Sequence, residues 1–344
     1  MFLLLARLSE AFGPSGDEAE VRQILTEELK GRWDAAYVDS MGNLIASFGR
    51  QKPGPRAMIA AHMDEVGLIV DFIDDDGFLR FKKVGGIDDR VLPAARVRVG
   101  RHRVPGVIGL KPKHLLKGEE AERVVDSDDL YIDIGARSKA EAEERVRPGD
   151  YAVFDTRFQE LTGGVVTGKA LDDRAGCAIA AALAVEELPL PVDFAFTVQE
   201  EIGLRGAKVA AERVKPDFAV VLEATTCADF PDPKARRRST LLGQGPALTF
   251  QDATSIPHQG LLELLVRTAE EEGVRYQWKQ TTAGGNDAGS IHLAAGGIPT
   301  VSISVPCRYL HTPRALLSLS DMAEALRLVR ALLHRVAREG VPSL

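Results

Sequence analysis

The spacing of apolar and polar residues changes twice along this chain, and the changes mark its organisation. From Val21 through Ile24, Leu25 and Leu29 the apolar residues recur at helical spacing. Just before them, Ser15-Gly-Asp-Glu18 has the form of a capping box, in which Ser15 and Glu18 would satisfy helix-end donors reciprocally. Segments around Tyr37-Val38 and Leu44-Ile45-Ala46 read as strands, and Ala57-Met58-Ile59-Ala60-Ala61 is an unbroken apolar run suited to a buried one.

Between residues 67 and 162 the pattern shortens. Small β-type runs recur at Leu68-Val70, Phe78-Phe81, Arg96-Val99, Val107-Leu110, Leu130-Ile132 and Tyr151-Phe154, separated by turn pairs such as Asp76-Gly77 and Gly85-Gly86. Only Lys139 to Arg145 looks helical there. From residue 163 onward strands and helices alternate. Helices are expected over Asp173–Glu187, Arg205–Arg213, Gly260–Glu272 and Ser320–Arg338, and strands over Val192–Val198, Phe218–Leu222 and Thr300–Ser304. Such alternation predicts an α/β sheet covered on both faces. The expected architecture is therefore an α/β domain made of residues 1–66 and 163–344, interrupted by a small all-β, barrel-like domain over 67–162. Strand 57–61 should lie in one sheet with 192–198 and 218–222.

Composition narrows the function classes. The 344 residues are 45% hydrophobic and 27% charged, ordinary for a globular protein, and the net charge of −7 offers no general attraction to nucleic acid or anionic membrane. The basic run Arg236-Arg237-Arg238 after Lys234 reads as a solvated loop. Cys177, Cys227 and Cys307 form neither a CxxC pair nor a disulfide framework, which suits a reducing compartment and buried, unreactive thiols. The apolar start, Met1 to Leu5, is too short for a signal segment, and no stretch is long enough for a membrane span. The expected location is the cytoplasm.

Residues able to hold metal stand where the buried strands end, the usual place for ligands in an open α/β sheet. His62 ends the first apolar strand, with Asp64 two residues on, able to hold the imidazole's other N–H. Alone, this pair fits a satisfied buried histidine equally well. Asp172-Asp173 open a helix, where carboxylates also serve as simple caps. Glu200-Glu201 follow the strand 192–198, Glu223 follows 218–222, and His311 follows 300–304. Asn286-Asp287 form either a substrate-contact loop or a plain turn. His102, His114, His258 and His292 read as ordinary surface or core histidines. Five strand ends carrying imidazole and carboxylate suit zinc or a similar divalent ion, and paired ions roughly 3.5 Å apart are a known device for hydrolysis.

The order and neighbours of these motifs resemble the M42 family of metallo-aminopeptidases, co-catalytic dinuclear zinc peptidases. The matching stretches are Pro14-Ser15-Gly16 with Glu18, Ala61-His62-Met63-Asp64-Glu65-Val66-Gly67, Ala170-Leu171-Asp172-Asp173-Arg174, Gln199-Glu200-Glu201-Ile202-Gly203 with Gly206-Ala207, Gly243-Gln244-Gly245-Pro246, Gly284-Gly285-Asn286-Asp287-Ala288, and Tyr309-Leu310-His311-Thr312-Pro313. They span nearly the whole chain. The resemblance implies that His62 and Glu223 bind a first metal, that Asp64 orients His62, that Asp172 bridges, and that Glu201 and His311 bind a second metal. It makes Glu200 the general base. It further implies two divalent ions, zinc with cobalt as the alternative, short peptides with a free N-terminus as substrates, and self-association into dimers and a tetrahedral dodecamer. Two departures stand out. Position 223 is glutamate where many relatives carry aspartate, and the loop Thr226 to Arg238 differs from the usual pattern, so no side-chain preference carries over. The competing readings are a metal-independent glycoside hydrolase, which would use two carboxylates flanking a sugar, and a non-catalytic peptide-binding protein with a degenerate site.

Overall fold

The computed structural model describes residues 1–118, 123–231 and 239–343. The basic run from Lys234 to Arg238 lies outside the described residues. In chain order the strands are β1 (Ala35–Val38), β2 (Leu44–Phe48), β3 (Ala57–His62), β4 (Gly67–Ile73), β5 (Leu79–Val84), β6 (Arg96–Val99), β7 (Val104–Gly109), β8 (Tyr131–Asp133), β9 (Tyr151–Phe154), β10 (Gln159–Glu160), β11 (Val165–Gly168), β12 (Val192–Thr197), β13 (Phe218–Thr226), β14 (Ala247–Leu248), β15 (Gln277–Trp278), β16 (Thr300–Arg308) and β17 (Ala315–Ser318). The helices are α1 (Phe2–Glu10), α2 (Ala19–Leu29), α3 (Lys139–Glu143), α4 (Leu171–Ala184), α5 (Arg205–Val214), α6 (Gln259–Glu271), α7 (Ala288–Ile291) and α8 (Leu319–Glu339).

The large sheet runs β1-β2-β12-β3-β13-β16-β17-β11-β10, with β14 and β15 attached beside β16. Its centre, β12-β3-β13-β16, is parallel, and β3 sits between β12 and β13 as its apolar run requires. All six residues of β3 are buried because the sheet is covered on both sides. Successive side chains of a strand point to opposite faces. Accordingly Ala57, Ile59 and Ala61 join one apolar cluster with α1, α2, α4, α6 and α8, while Met58 and Ala60 join another with α5 and α7. Helix α8 buries Met322, Ala325, Leu328, Val329, Leu332, Leu333 and Val336, the spacing of a one-sided helix.

Strands β4 to β9 close into a separate antiparallel barrel in the order β4-β5-β8-β7-β6-β9, with its own core built on Leu68, Val70, Leu79, Val97, Ile108 and Ile132. Each of the six short runs in the sequence became one of its strands. The chain has rejoined the large sheet by Gln159, slightly before the expected boundary at 163, because β10 pairs with β11.

Two local expectations changed. There is no capping box at α2: its N-cap is Glu18, without a side-chain cap bond, and Ser15 is turned elsewhere. Helix α4 ends at Ala184 rather than Glu187, and at its start Asp172 and Asp173, joined by a cis peptide, have non-helical backbone angles. The two aspartates divide the roles left open for them. Asp173 caps the helix by accepting the Gly176 N–H at 2.8 Å, which leaves Asp172 to face the cleft. Position 176 must be glycine for this arrangement, since a Cβ there would stand 2.4 Å from the Asp173 carboxylate.

Candidate active site

The parallel strands deliver their last residues to one edge of the sheet. His62 ends β3 opposite Thr197, the last residue of β12, and Glu200-Glu201 follow three and four residues later. Glu223 lies two residues beyond Val221, which pairs with Ala60, just as His62 lies two beyond Ala60. His311 follows the end of β16. Tight turns aim these groups: Gln199, Tyr309 and His311 all have positive φ near 57°. Such left-handed backbone costs a non-glycine residue of order 1 kcal/mol and persists where surrounding contacts over-determine it.

The side chains meet around Asp172. Its Oδ1 lies 3.2 Å from His62 Nε2 and its Oδ2 lies 3.2 Å from His311 Nε2, so one carboxylate spans both imidazoles. Glu223 Oε1 stands 3.4 Å from His62 Nε2, and Glu201 Oε2 stands 3.2 Å from His311 Nε2. Glu200 Oε2 is farther from His62, at 3.9 Å. All the sequence-nominated residues except Asn286 and Asp287 therefore converge.

The electrostatics of this cluster are those of crowded anions. Burial pushes the Glu200 carboxyl well above the usual range, with Glu223, Asp287 and Glu201 adding to the shift against the opposing pull of His62. Burial likewise raises Glu223. Burial alone would lower the imidazoles, but Glu223, Glu200 and Asp172 lift His62 well above its ordinary value, and hydrogen bonds to Asp172 and Glu201 lift His311 to about 11. Asp172 moves down against its burial because both imidazoles bond to it.

The donor set fits divalent metal. Glu201 Oε1 and Glu223 Oε2 are buried with no hydrogen-bond partner among the described residues, an expensive state for a carboxylate oxygen unless a cation completes it. Ligand-capable atoms of His62, Asp172 and Glu201 lie within 4.8 Å of one another, as do those of His62, Asp173 and Glu223. Asp173 is already engaged by the Gly176 and His62 amides, so Asp172 is the freer of the two aspartates.

Asp64 does more than face a histidine. His62 Nδ1 lies 3.1 Å from the Asp64 carbonyl and 3.4 Å from its Oδ1. The carboxylate itself accepts from Ser15 Oγ at 2.6 Å, from the Glu200 amide at 3.0 Å and from the Glu201 amide at 3.1 Å. It therefore fixes the backbone that carries both glutamates. Ser15, read from sequence as half of a capping box, supports this carboxylate. Glu18 accepts from the Gly16 and Gln199 amides, and burial raises its carboxyl to about 7. A deeper group was missed as well. Glu65 accepts from Lys169 at 2.6 Å and Arg174 at 3.2 Å, all three buried, tying β3 to the start of α4. The signal was available: Lys169 and Arg174 flank the nominated aspartates in an otherwise apolar segment.

The barrel reaches this edge too. A Cβ on Gly85, in the turn after β5 (φ +84°), would stand 3.3 Å from Glu201 Cβ. Asn286 and Asp287 do not line the cleft. Both are buried: Asp287 Oδ2 accepts from Thr197 at 2.5 Å, and Asn286 Oδ1 from the Ala288 amide at 2.9 Å. The cleft wall is instead Ala283-Gly284-Gly285, just before them. The three cysteines are free and buried. His258 has a local task, accepting the Leu261 amide at the start of α6. No helix among the described residues is long and apolar enough to cross a membrane.

Comparison with known proteins places the chain in context. The family described as M42 glutamyl aminopeptidase matches residues 42–328. A lysyl aminopeptidase of Pyrococcus furiosus is 31% identical, with 97% of this chain and 96% of that protein covered. Among solved structures, a TET aminopeptidase from a marine-sediment thaumarchaeote superposes with a TM-score of 0.95 at 39% identity, covering 99% of this chain and 97% of the other. The TET1 peptidase of Pyrococcus horikoshii, described as able to assemble into a tetrahedron or a large octahedral shell, superposes with a TM-score of 0.86 at 37% identity, covering 96% and 98%.

Proposed function

This chain belongs to the M42 glutamyl aminopeptidase family and is a peptidase, and from that premise we propose that it removes N-terminal residues from short peptides with Glu200 as general base beside two divalent cations. The observation that carries the reading is the carboxylate of Asp172 spanning His62 and His311, with oxygens of Glu223 and Glu201 that have no partner among the described residues at either side. His62, Asp172 and Glu223 would hold one ion and His311, Asp172 and Glu201 the other. Zinc suits this mixture of imidazole and carboxylate, and cobalt is the alternative. Bound there, such ions supply Lewis acidity for a water nucleophile and for the scissile carbonyl.

The chain's own residues do the rest. Glu200 lines the cleft and bonds to neither imidazole as closely as Glu223 or Glu201 does, so its carboxylate is the one free to accept the proton of the attacking water. It would then pass that proton to the departing amine. Asp64 holds the Glu200 and Glu201 amides, setting the base and its neighbour at a fixed angle. The crowded carboxylates also favour the ammonium of a free peptide N-terminus, which supports removal of terminal residues.

We read residues 1–66 and 163–344 as the catalytic unit and 67–162 as an insertion that shapes the cleft and mediates self-association. Supporting this are the closed barrel, the exposed Phe72 and Val107 on it, and the shells formed by the P. horikoshii relative. Three free cysteines support a reducing, cytoplasmic setting. A glycosidase is not favoured, because the carboxylates here are shared with imidazoles rather than set across a sugar-sized gap. Nor is a degenerate binding protein, since Glu200 and both histidines are in place.

The test is mass spectrometry of short peptides, free or N-acetylated, with the enzyme metal-loaded or chelated. Stepwise loss from free N-termini alone, abolished by chelation, is expected. Cleavage of acetylated peptides, or activity without metal, would defeat the mechanism. The family description names glutamyl and the P. furiosus relative lysyl substrates, so membership leaves this chain's side-chain preference open.

A further inference from the structure

The turn that carries Glu200 and Glu201 lies between β12 and α5, outside both strand and helix. Four successive amides there donate to side-chain oxygens from distant parts of the chain. Val198 donates to Asn43 Oδ1 at 3.0 Å, Gln199 to Glu18 Oε1 at 3.2 Å, Glu200 to Asp64 Oδ1 at 3.0 Å and Glu201 to Asp64 Oδ2 at 3.1 Å. Past them the turn closes on itself, with the Gly203 and Leu204 amides on Glu200 O at 2.9 Å and the Arg205 amide on Gln199 O at 3.2 Å. Gln199, directly before Glu200, holds φ +57°, a conformation that a non-glycine residue keeps only where its contacts enforce it. Glu18 supplies the contact at its amide.

Glu18 is well anchored for such a task. It is buried, and its carbonyl accepts the Arg22 amide at 3.0 Å at the start of α2, whose Val21, Leu25 and Leu29 lie in the core. The same Oε1 also takes the Gly16 amide at 2.7 Å. Gly16 (φ +99°) is pressed against the barrel, since a Cβ there would stand 2.6 Å from the Tyr151 hydroxyl. The Glu18 side chain makes no cap bond to α2, so helix capping does not account for it.

We propose that Glu18 is a positioning residue for the hydrolytic reaction: by accepting the Gln199 amide it holds the left-handed turn that aims Glu200 into the cleft. The inference rests on the aminopeptidase reading, in which Glu200 is the base. Without that oxygen the Gln199 amide loses its partner inside the protein, and the peptide unit before it turns to find another. Glu200 shifts with it, although Asp64 still holds its amide, so the base is displaced rather than lost. What the two amides need is an acceptor oxygen, not a charge, so glutamine serves and alanine does not.

The experiment compares metal-loaded parent, Glu18→Gln, Glu18→Ala and Glu18→Asp on the short peptide with a free N-terminus that the parent cleaves fastest. It reads kcat and KM separately, counts bound metal by mass spectrometry, and runs each assay below the variant's melting temperature. Glu18→Ala should lose about tenfold to a hundredfold in kcat, the order expected when a catalytic group moves by about 1 Å. Its KM should stay within about threefold and its metal content should match the parent. Glu18→Gln should keep kcat within about threefold. Glu18→Asp keeps the charge but falls short by one methylene; it should lose kcat as Glu18→Ala does, and it carries the test if Glu18→Ala does not fold. Parental kcat in the alanine and aspartate variants, or failure of both to fold, would make Glu18 a structural residue and overturn the proposal. Equal kcat losses in Glu18→Gln and Glu18→Ala would place the effect on the charge and overturn the acceptor role. Metal lost together with kcat would place Glu18 in support of the ligands and overturn its link to the base. Failure of the parent on every peptide, with metal bound, would sink the aminopeptidase reading itself and this proposal with it.

Discussion

Replacing Asp64 by asparagine tests whether one buried carboxylate organises the centre. The side chain is fully buried, and its two oxygens accept from three donors: Ser15 Oγ at 2.6 Å, Glu200 N at 3.0 Å and Glu201 N at 3.1 Å. His62 Nδ1 lies a further 3.4 Å away on the same carboxylate. Asparagine keeps one acceptor oxygen and turns the other position into a donor. If its oxygen takes the Glu200 amide, its NH2 faces the Glu201 amide and Ser15. Ser15 can rotate to accept, but the amide cannot. At least one buried donor is left unmatched, at a cost of about 1–3 kcal/mol, and the charge that orients His62 is gone. Part of that cost falls on the angle between Glu200 and Glu201. Changes to groups that support a metal ligand typically cost about ten- to a hundredfold in affinity or turnover. The assay is calorimetric titration of zinc or cobalt into metal-free protein, with kcat/KM measured at saturating metal. We expect weaker binding and slower turnover together, while circular dichroism stays native. A variant that binds metal and turns over like the parent would refute the claim that Asp64 positions the centre.

Other outcomes follow from the same geometry. Glu200→Ala should keep its metal content by mass spectrometry yet lose about a hundred- to ten-thousandfold in turnover; loss of metal would make Glu200 a ligand instead. His311→Ala removes the imidazole that bonds both Asp172 and Glu201, so metal stoichiometry should fall by one site, and unchanged occupancy would reject that assignment. Glu18→Gln should raise thermal stability, and more so at pH 8 than at pH 5. Burial raises the Glu18 carboxyl from 4.5 to about 7, so the folded state binds its proton more tightly and the native glutamate costs stability as pH rises through that window, by about 3 kcal/mol at most. Both amides bond to a single oxygen, Oε1, which glutamine retains. A variant no more stable at pH 8 would contradict this.

Much was legible in the primary structure, and the reasons are physical. The unbroken run at 57–61 suits a strand buried on both faces, and the spacing of apolar residues in α8 suits a one-sided helix. Short alternating runs with glycine turns predicted the barrel strands because a pleated strand repeats every second residue. The residues that gather around Asp172 could be named from the sequence because ligands in such sheets usually sit where buried strands stop. What misled was local pattern without context. Ser15 and Glu18 have capping-box spacing, but Asp64, 49 residues away, outcompetes a helix end for the Ser15 hydroxyl. Asn286 and Asp287, read as either a substrate-contact loop or a plain turn, lead into α7, and a Thr197 hydroxyl from another strand draws Asp287 inward.

The residue order alone therefore indicated most of the longer elements, the two architectures and the polar groups at the strand ends, because periodicity and strand-end position are local properties. Folding decided the partnerships: which aspartate of the pair spans the two imidazoles and which caps the helix, and that Asp64 grips the Glu200–Glu201 backbone. Those depend on distances between segments far apart in the chain, where burial makes each unmatched charge or donor costly and so selects a single arrangement.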